Sequence, residues 1–104
     1  MEGVRAAIED PRATVMISAV SVWESAIKSA LGKLRVPDDL PERLDDFAFE
    51  RLAITDVHAW AVRALPPVHS DPFDRLLAAQ ALCERATIVS ADAIFDRYGV
   101  TRVW

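Results

Sequence analysis

An α/β fold with a parallel sheet is the class this sequence predicts, on three observations. Two short β-branched runs, residues 14–18 and 87–90, have the continuous apolar character of strands covered on both faces. Amphipathic helical periods alternate with these runs along the chain. The connections are short, so no linker separates domains and the 104 residues read as a single one.

Taken in order, residues 4–10 have helical spacing, which Pro11 stops. Residues 14–18 form the first strand. Ser18 or Ser21 caps the following helix, which runs to about Leu31 and is closed by Gly32. Its apolar stripe is Val20, Trp23, Ile27, Ala30 and Leu31, with Leu34 packing after the turn and Glu24 beside the stripe near the strand end. A loop with two prolines leads to a second amphipathic helix over 40–49, with Leu44, Phe47 and Ala48 facing inward. Residues 51–54 are a short strand candidate, and Asp56 caps a helix over 57–65 that Pro66 and Pro67 end.

Asp71 suits the cap of the next helix, because its carboxylate can accept the orphan N–H groups of the first turn; Pro72 suits the position after it, where no N–H is needed. Asp74 is then the third helical residue, favoured by the positive end of the helix dipole. This helix continues with Leu76, Leu77, Gln80, Ala81 and Cys83 on its apolar side and ends near Arg85. Residues 87–90 form another strand, 91–98 a short helix with Gly99 as its C-cap, and 101–104 an edge strand.

Hydrophobic residues make up 52% of the chain, as expected of a folded globular protein. The net charge of −4 argues against a generally basic nucleic-acid-binding surface. It leaves room for a metal-dependent nuclease, whose acids are neutralised by the ion. The single cysteine, Cys83, excludes a disulfide framework within the chain and reads as a small buried residue in a reducing compartment. The longest apolar run is too short to span a bilayer and no signal peptide is evident, so a cytoplasmic protein is expected.

In parallel sheets, chemistry collects beyond the carboxyl ends of the strands. That rule selects among the sixteen acids. Glu24 follows the first strand, Asp92 follows the strand at 87–90, and Asp74 opens a helix whose start is expected at the same end. Carboxylates held together raise each other's pKa and destabilise a fold unless a cation joins them. Mg²⁺ or Mn²⁺, a hard ion that prefers oxygen ligands and keeps several waters, suits that role, and metal-dependent phosphodiester hydrolysis is the matching chemistry. The bland readings are an i,i+4 pair of Glu24 with Lys28, a helix cap for Asp92, and first-turn dipole chemistry for Asp74.

Four segments carry a family resemblance: Ile17-Ser18-Ala19-Val20-Ser21-Val22-Trp23-Glu24-Ser25-Ala26-Ile27-Lys28, Gly32-Lys33-Leu34, His69-Ser70-Asp71-Pro72-Phe73-Asp74-Arg75-Leu76-Leu77-Ala78-Ala79-Gln80-Ala81, and Ile88-Val89-Ser90-Ala91-Asp92. In this order they resemble the PIN-domain ribonucleases of the VapC toxin type. The resemblance implies an acidic cluster that binds Mg²⁺ or Mn²⁺ and cleaves RNA, and an antitoxin protein that restrains the enzyme. Carried over by motif, Asp74, Asp92 and Glu24 are the implied metal ligands and catalytic acids. Members of the family usually begin with a buried strand, roughly Leu-Leu-Asp-Thr-His, whose aspartate is a central ligand. No such segment precedes Met1. The expected architecture is therefore a PIN-like three-layer fold, helices on both faces of a parallel sheet, shortened at its amino end and missing the central N-terminal strand. Either the true start lies upstream, or a shortened form rearranges, dimerises or loses activity.

Asp96, one helical turn beyond Asp92, is a candidate outer ligand, with surface solvation the other reading. Lys28, Arg75 and His69 are candidate substrate contacts; their alternative is ordinary polar surface. His58 and His69 lack zinc-ligand spacing with any cysteine. Trp23, Trp60 and Phe73 read as core residues. Two functions follow: an RNA-cleaving toxin, or an inactive PIN-like remnant that binds an antitoxin or a second copy of itself.

Overall fold

Five α-helices, four short strands and two 3-10 segments make up the described residues, 2–47, 49–68 and 70–104, of the computed structural model. The chain divides into two units, Thr14–Ala53 and Met1–Ala13 with Ile54–Trp104. Ala48 and His69 lie outside the described residues.

In the Thr14–Ala53 unit, Met16–Ser18 (β1) and Glu50–Leu52 (β2) pair in parallel, Ile17 standing opposite Arg51. Ser18 ends the strand and caps the helix Ala19–Ala30 (α2), its Oγ accepting the Val20 amide at 3.0 Å. At the far end Gly32 has φ +72°, and the amides of Gly32 and Lys33 donate to the carbonyls of Ser29 and Lys28 at 3.0 and 2.9 Å. This is a Schellman closure, which favours glycine because a Cβ is penalised in the left-handed region. Only Val20 of the predicted apolar stripe is fully buried. Trp23, Ile27, Leu31 and Leu34 are exposed, so the helical period was read correctly but its coverage was not.

The helix expected over 40–49 is shorter, Leu40–Leu44 (α3). The amides of Asp45, Asp46 and Phe47 bond three residues back, a tightening that ends the helix, and exposed Phe47 stacks on Phe49 at 5.3 Å instead of entering a core. Arg51 on β2 donates to Asp45 Oδ1 at 2.6 Å and to the Pro41 carbonyl at 2.7 Å, tying the strand to this helix.

In the other unit, Glu2–Glu9 (α1) precedes the Asp56–Ala61 helix (α4), which continues as a 3-10 turn, Val62–Ala64. The cap of α4 is Thr55, where Asp56 was expected. Thr55 Oγ1 accepts the His58 amide and the His58 ring accepts the Thr55 amide, each at 3.2 Å. This reciprocal capping box uses histidine where glutamate is usual.

Pro72–Glu84 (α5) packs on α4, and the core gathers around it: Leu65, Ala78, Ala79, Ala81, Phe95, Tyr98 and Val100. Burial on α5 stops at Ala81, so Leu82, Cys83 and Glu84 are exposed. The expected buried Cys83 is thus corrected: the helix runs one turn beyond its packing partners. Ile88–Val89 (β3) pairs in parallel with Arg102–Val103 (β4), and a 3-10 helix, Ala93–Tyr98, lies between them in sequence. Each sheet has two strands among the described residues, and no third strand joins β1 or β3 there.

Candidate functional site

The loop-to-helix turn at 70–75 is built by the predicted local chemistry. Asp71 has extended backbone, and its Oδ1 accepts the amides of Phe73 at 2.8 Å and Asp74 at 3.3 Å. Pro72 opens α5 without needing a donor, which places Asp74 third in the helix, part-buried at the positive end of the dipole. Arg75 follows. Its guanidinium donates to the carbonyls of Pro66 at 3.0 Å and Val62 at 3.3 Å and lies 5.8 Å from the Tyr98 ring centre. The substrate contact expected of Arg75 is therefore joined to a structural task, holding the end of the preceding 3-10 turn against the start of α5. A shallow depression lined by Pro67, Val68, Ser70 and Arg75 lies at this turn.

Asp92 stands three residues beyond β3 and is exposed. Its amide donates to Ser90 Oγ at 3.1 Å, and its Oδ1 accepts the Ile94 amide at 2.9 Å, capping the 3-10 helix. Asp96 is paired with a cation of the chain itself. Arg102 engages both its oxygens, Nε to Oδ1 and Nη2 to Oδ2, each at 3.0 Å. The guanidinium holds the Asp96 carboxyl below its usual 3.8, and the carboxylate raises Arg102 in turn.

Glu24 lies in the second turn of α2, in the Thr14–Ala53 unit, 3.1 Å from Lys28 Nζ one helical turn on. The i,i+4 pair anticipated for these residues is present, so Lys28 has an intramolecular partner. His69 lies outside the described residues. Trp23 and Trp60 are 47% and 69% exposed and do not belong to the core; Phe73 is half-buried. The inward face of α4 and its 3-10 extension is His58, Ala61, Val62 and Leu65, which turns Trp60 outward beneath the Arg63 guanidinium at 4.3 Å.

Sequence reasoning missed the buried polar pair inside this unit. His58 is 3% exposed and Gln80 1% exposed, with Gln80 Nε2 3.3 Å from His58 Nδ1. Because the Thr55 amide can only donate to Nδ1, that nitrogen is the acceptor, and the ring proton sits on Nε2, 3.6 Å from Glu84 Oε2. Thr55-x-x-His58 is a capping-box spacing, the one sequence signal that could have found it.

Among the described residues no three His, Cys, Asp or Glu side chains form a metal-holding group. Asp74 and Asp92 belong to one unit and Glu24 to the other. Each of these carboxylates is an oxygen donor of the kind a hard divalent ion takes.

The PIN domain family model matches residues 1–100, and the chain belongs to that family. Its fold is similar to that of VapBC2 from Rickettsia felis, solved bound to a DNA fragment from their promoter. The TM-score is 0.71 at 18% identity, over 96% of this chain and 81% of that one. Comparison with the curated proteins gave no match.

Proposed function

We propose that this protein is a Mg²⁺- or Mn²⁺-dependent endoribonuclease, the toxin of a toxin–antitoxin pair acting in the cytoplasm. The observation that carries the reading is the PIN family match across residues 1–100, joined to a capped helix that presents Asp74 in its first turn. In this reading Asp74, Asp92 and Glu24 supply the carboxylate ligands. When bound, the ion supplies Lewis acidity toward a phosphoryl oxygen and acidifies the attacking water. Asp71 sets the backbone of Asp74 by taking its amide, and Ser90 sets that of Asp92 in the same way. The exposed apolar residues Trp23, Ile27, Leu31 and Leu34 support docking of an antitoxin or a second copy of the chain. Among the described residues no helix is long and apolar enough to cross a membrane.

A second reading, a PIN-like remnant that binds an antitoxin or a second copy of itself without cleaving RNA, is favoured by one observation: two of the candidate ligands, Glu24 and Asp96, are already paired with Lys28 and Arg102. RNA cleavage by the purified chain with Mn²⁺ or Mg²⁺, against EDTA, separates the two. The nuclease reading expects divalent-dependent cleavage that Asp74→Asn abolishes while its circular dichroism stays native. A folded chain that leaves RNA intact supports the binding reading, and full activity in folded Asp74→Asn removes Asp74 from the site.

A further inference from the structure

We propose that Arg102 is a positioning residue for Asp92, acting through Ser90 and held in place by Asp96. The inference rests on the nuclease reading for the importance of Asp92, and on hydrogen bonds alone for the clamp. Ser90, between β3 and Asp92, is held from two sides by neighbouring residues. Its amide donates to the Val103 carbonyl at 3.1 Å, and its carbonyl accepts from Arg102 Nη1 at 3.1 Å. Its hydroxyl in turn accepts the Asp92 amide. The chain of contacts therefore runs from Arg102 on β4 to the Ser90 backbone and from the Ser90 side chain to Asp92.

The fork shape of arginine is what makes this possible. Nε and Nη2 face one way onto the two Asp96 oxygens, while Nη1 is left to reach the Ser90 carbonyl. A lysine ammonium is a compact point charge on a flexible stem and cannot hold these three acceptors in one plane. Asp96, a candidate outer ligand, orients the arginine from the 3-10 helix that Asp92 caps. The Arg102 side chain is 21% exposed and that of Asp96 54%, so water competes for these bonds mainly from the carboxylate side. β4 thereby contributes to the region around Asp92 without supplying a ligand.

The test compares wild type with Arg102→Gln, Arg102→Lys and Asp96→Asn by two-dimensional amide NMR, after circular dichroism has shown which variants fold. One arm follows exchange of the Ile94 amide, the donor to Asp92 Oδ1. The other follows broadening of the Ala93 and Ile94 amides by Mn²⁺. All folded variants, Arg102→Lys included, are expected to exchange Ile94 roughly fivefold faster, through a loosened cap. Their Mn²⁺ midpoints are expected to rise roughly tenfold or more, as for removal of a group that orients a metal ligand. Wild-type exchange and midpoint in Asp96→Asn and Arg102→Lys would overturn the clamp. Absence of Mn²⁺ broadening in the wild-type chain would overturn the metal reading; Ile94 exchange then decides the clamp by itself, unchanged rates refuting it.

Discussion

Replacing His58 with leucine should cost far more than its place in a six-residue helix suggests. The ring is buried, and two donors share the one lone pair of its Nδ1, the Thr55 amide at 3.2 Å and the Gln80 amide group at 3.3 Å. Leucine fills a similar volume but accepts neither. Gln80, 1% exposed, loses this hydrogen bond while keeping its other contacts, a cost of about 0.5–1.5 kcal/mol. Loss of half the capping box adds roughly 0.5–1 kcal/mol, because the exposed Thr55 amide can turn to water. The sum, about 1–2.5 kcal/mol, is an appreciable share of the roughly 5–15 kcal/mol that holds a typical domain.

The same geometry predicts how a second substitution behaves. Gln80→Leu leaves the His58 ring with the Thr55 amide still donating to it, so its own cost is smaller. In His58→Leu/Gln80→Leu both members are apolar, and the one hydrogen bond between them is lost once, although each single variant already counts its loss. The double variant should therefore be more stable than the two single costs imply, by about 1 kcal/mol. Urea unfolding of the four proteins, with unchanged denaturant slopes as the check on two-state behaviour, measures this directly. Additivity within about 0.5 kcal/mol, or a His58→Leu cost below about 1 kcal/mol, would refute the argument that these two residues satisfy each other.

Two smaller predictions concern stability. Arg85 ends α5 with φ +53°, and the Ala86 amide bonds the Ala81 carbonyl at 2.8 Å, so a non-glycine residue occupies the left-handed closing position. Arg85→Gly should stabilise the chain by roughly 0.5–1 kcal/mol, read as a raised thermal midpoint; a lowered one would show that the arginine side chain outweighs its backbone strain. Asp96 has its pKa lowered in the folded chain by Arg102, so the pair contributes stability above the ordinary carboxylate value, and that contribution is lost as pH falls through the depressed folded value. The stability gap between wild type and Asp96→Asn should accordingly be constant above about pH 5 and close on the acid side of the usual carboxylate range, and a gap that widened toward low pH would contradict the pairing.

What the amino-acid sequence determined by itself is the part of this protein governed by neighbours in the chain. The Asp71 cap, Pro72 in the first turn, Asp74 third in the helix, the Ser18 cap of α2, Gly32 at its end and Gly99 after the 3-10 helix all follow from hydrogen bonds and dihedral limits within a few residues. Periodicity also revealed the alternation of strands and helices, and four ordered motifs pointed to the PIN family that the family model matches. Where local signals competed, as with Thr55 against Asp56 for the α4 cap, either residue had suitable chemistry. The choice went to Thr55, whose partner His58 is turned inward by packing.

Tertiary structure alone decided which faces of the helices are covered and which charges are already engaged. Helical spacing marks Trp60 and Cys83 as apolar but does not say where a neighbouring element ends, so their exposure could not be read from the chain. Nor could the Gln80–His58 contact, made between residues twenty-two positions apart. The same holds for the charged side chains: Arg75 reaches back to Val62, Arg102 reaches Ser90 and Asp96, and these partners lie six to thirteen positions away. A sequence specifies which residue types can bind a phosphate or a metal. Whether a guanidinium or carboxylate is already committed to another group depends on distances that exist only once the chain has folded.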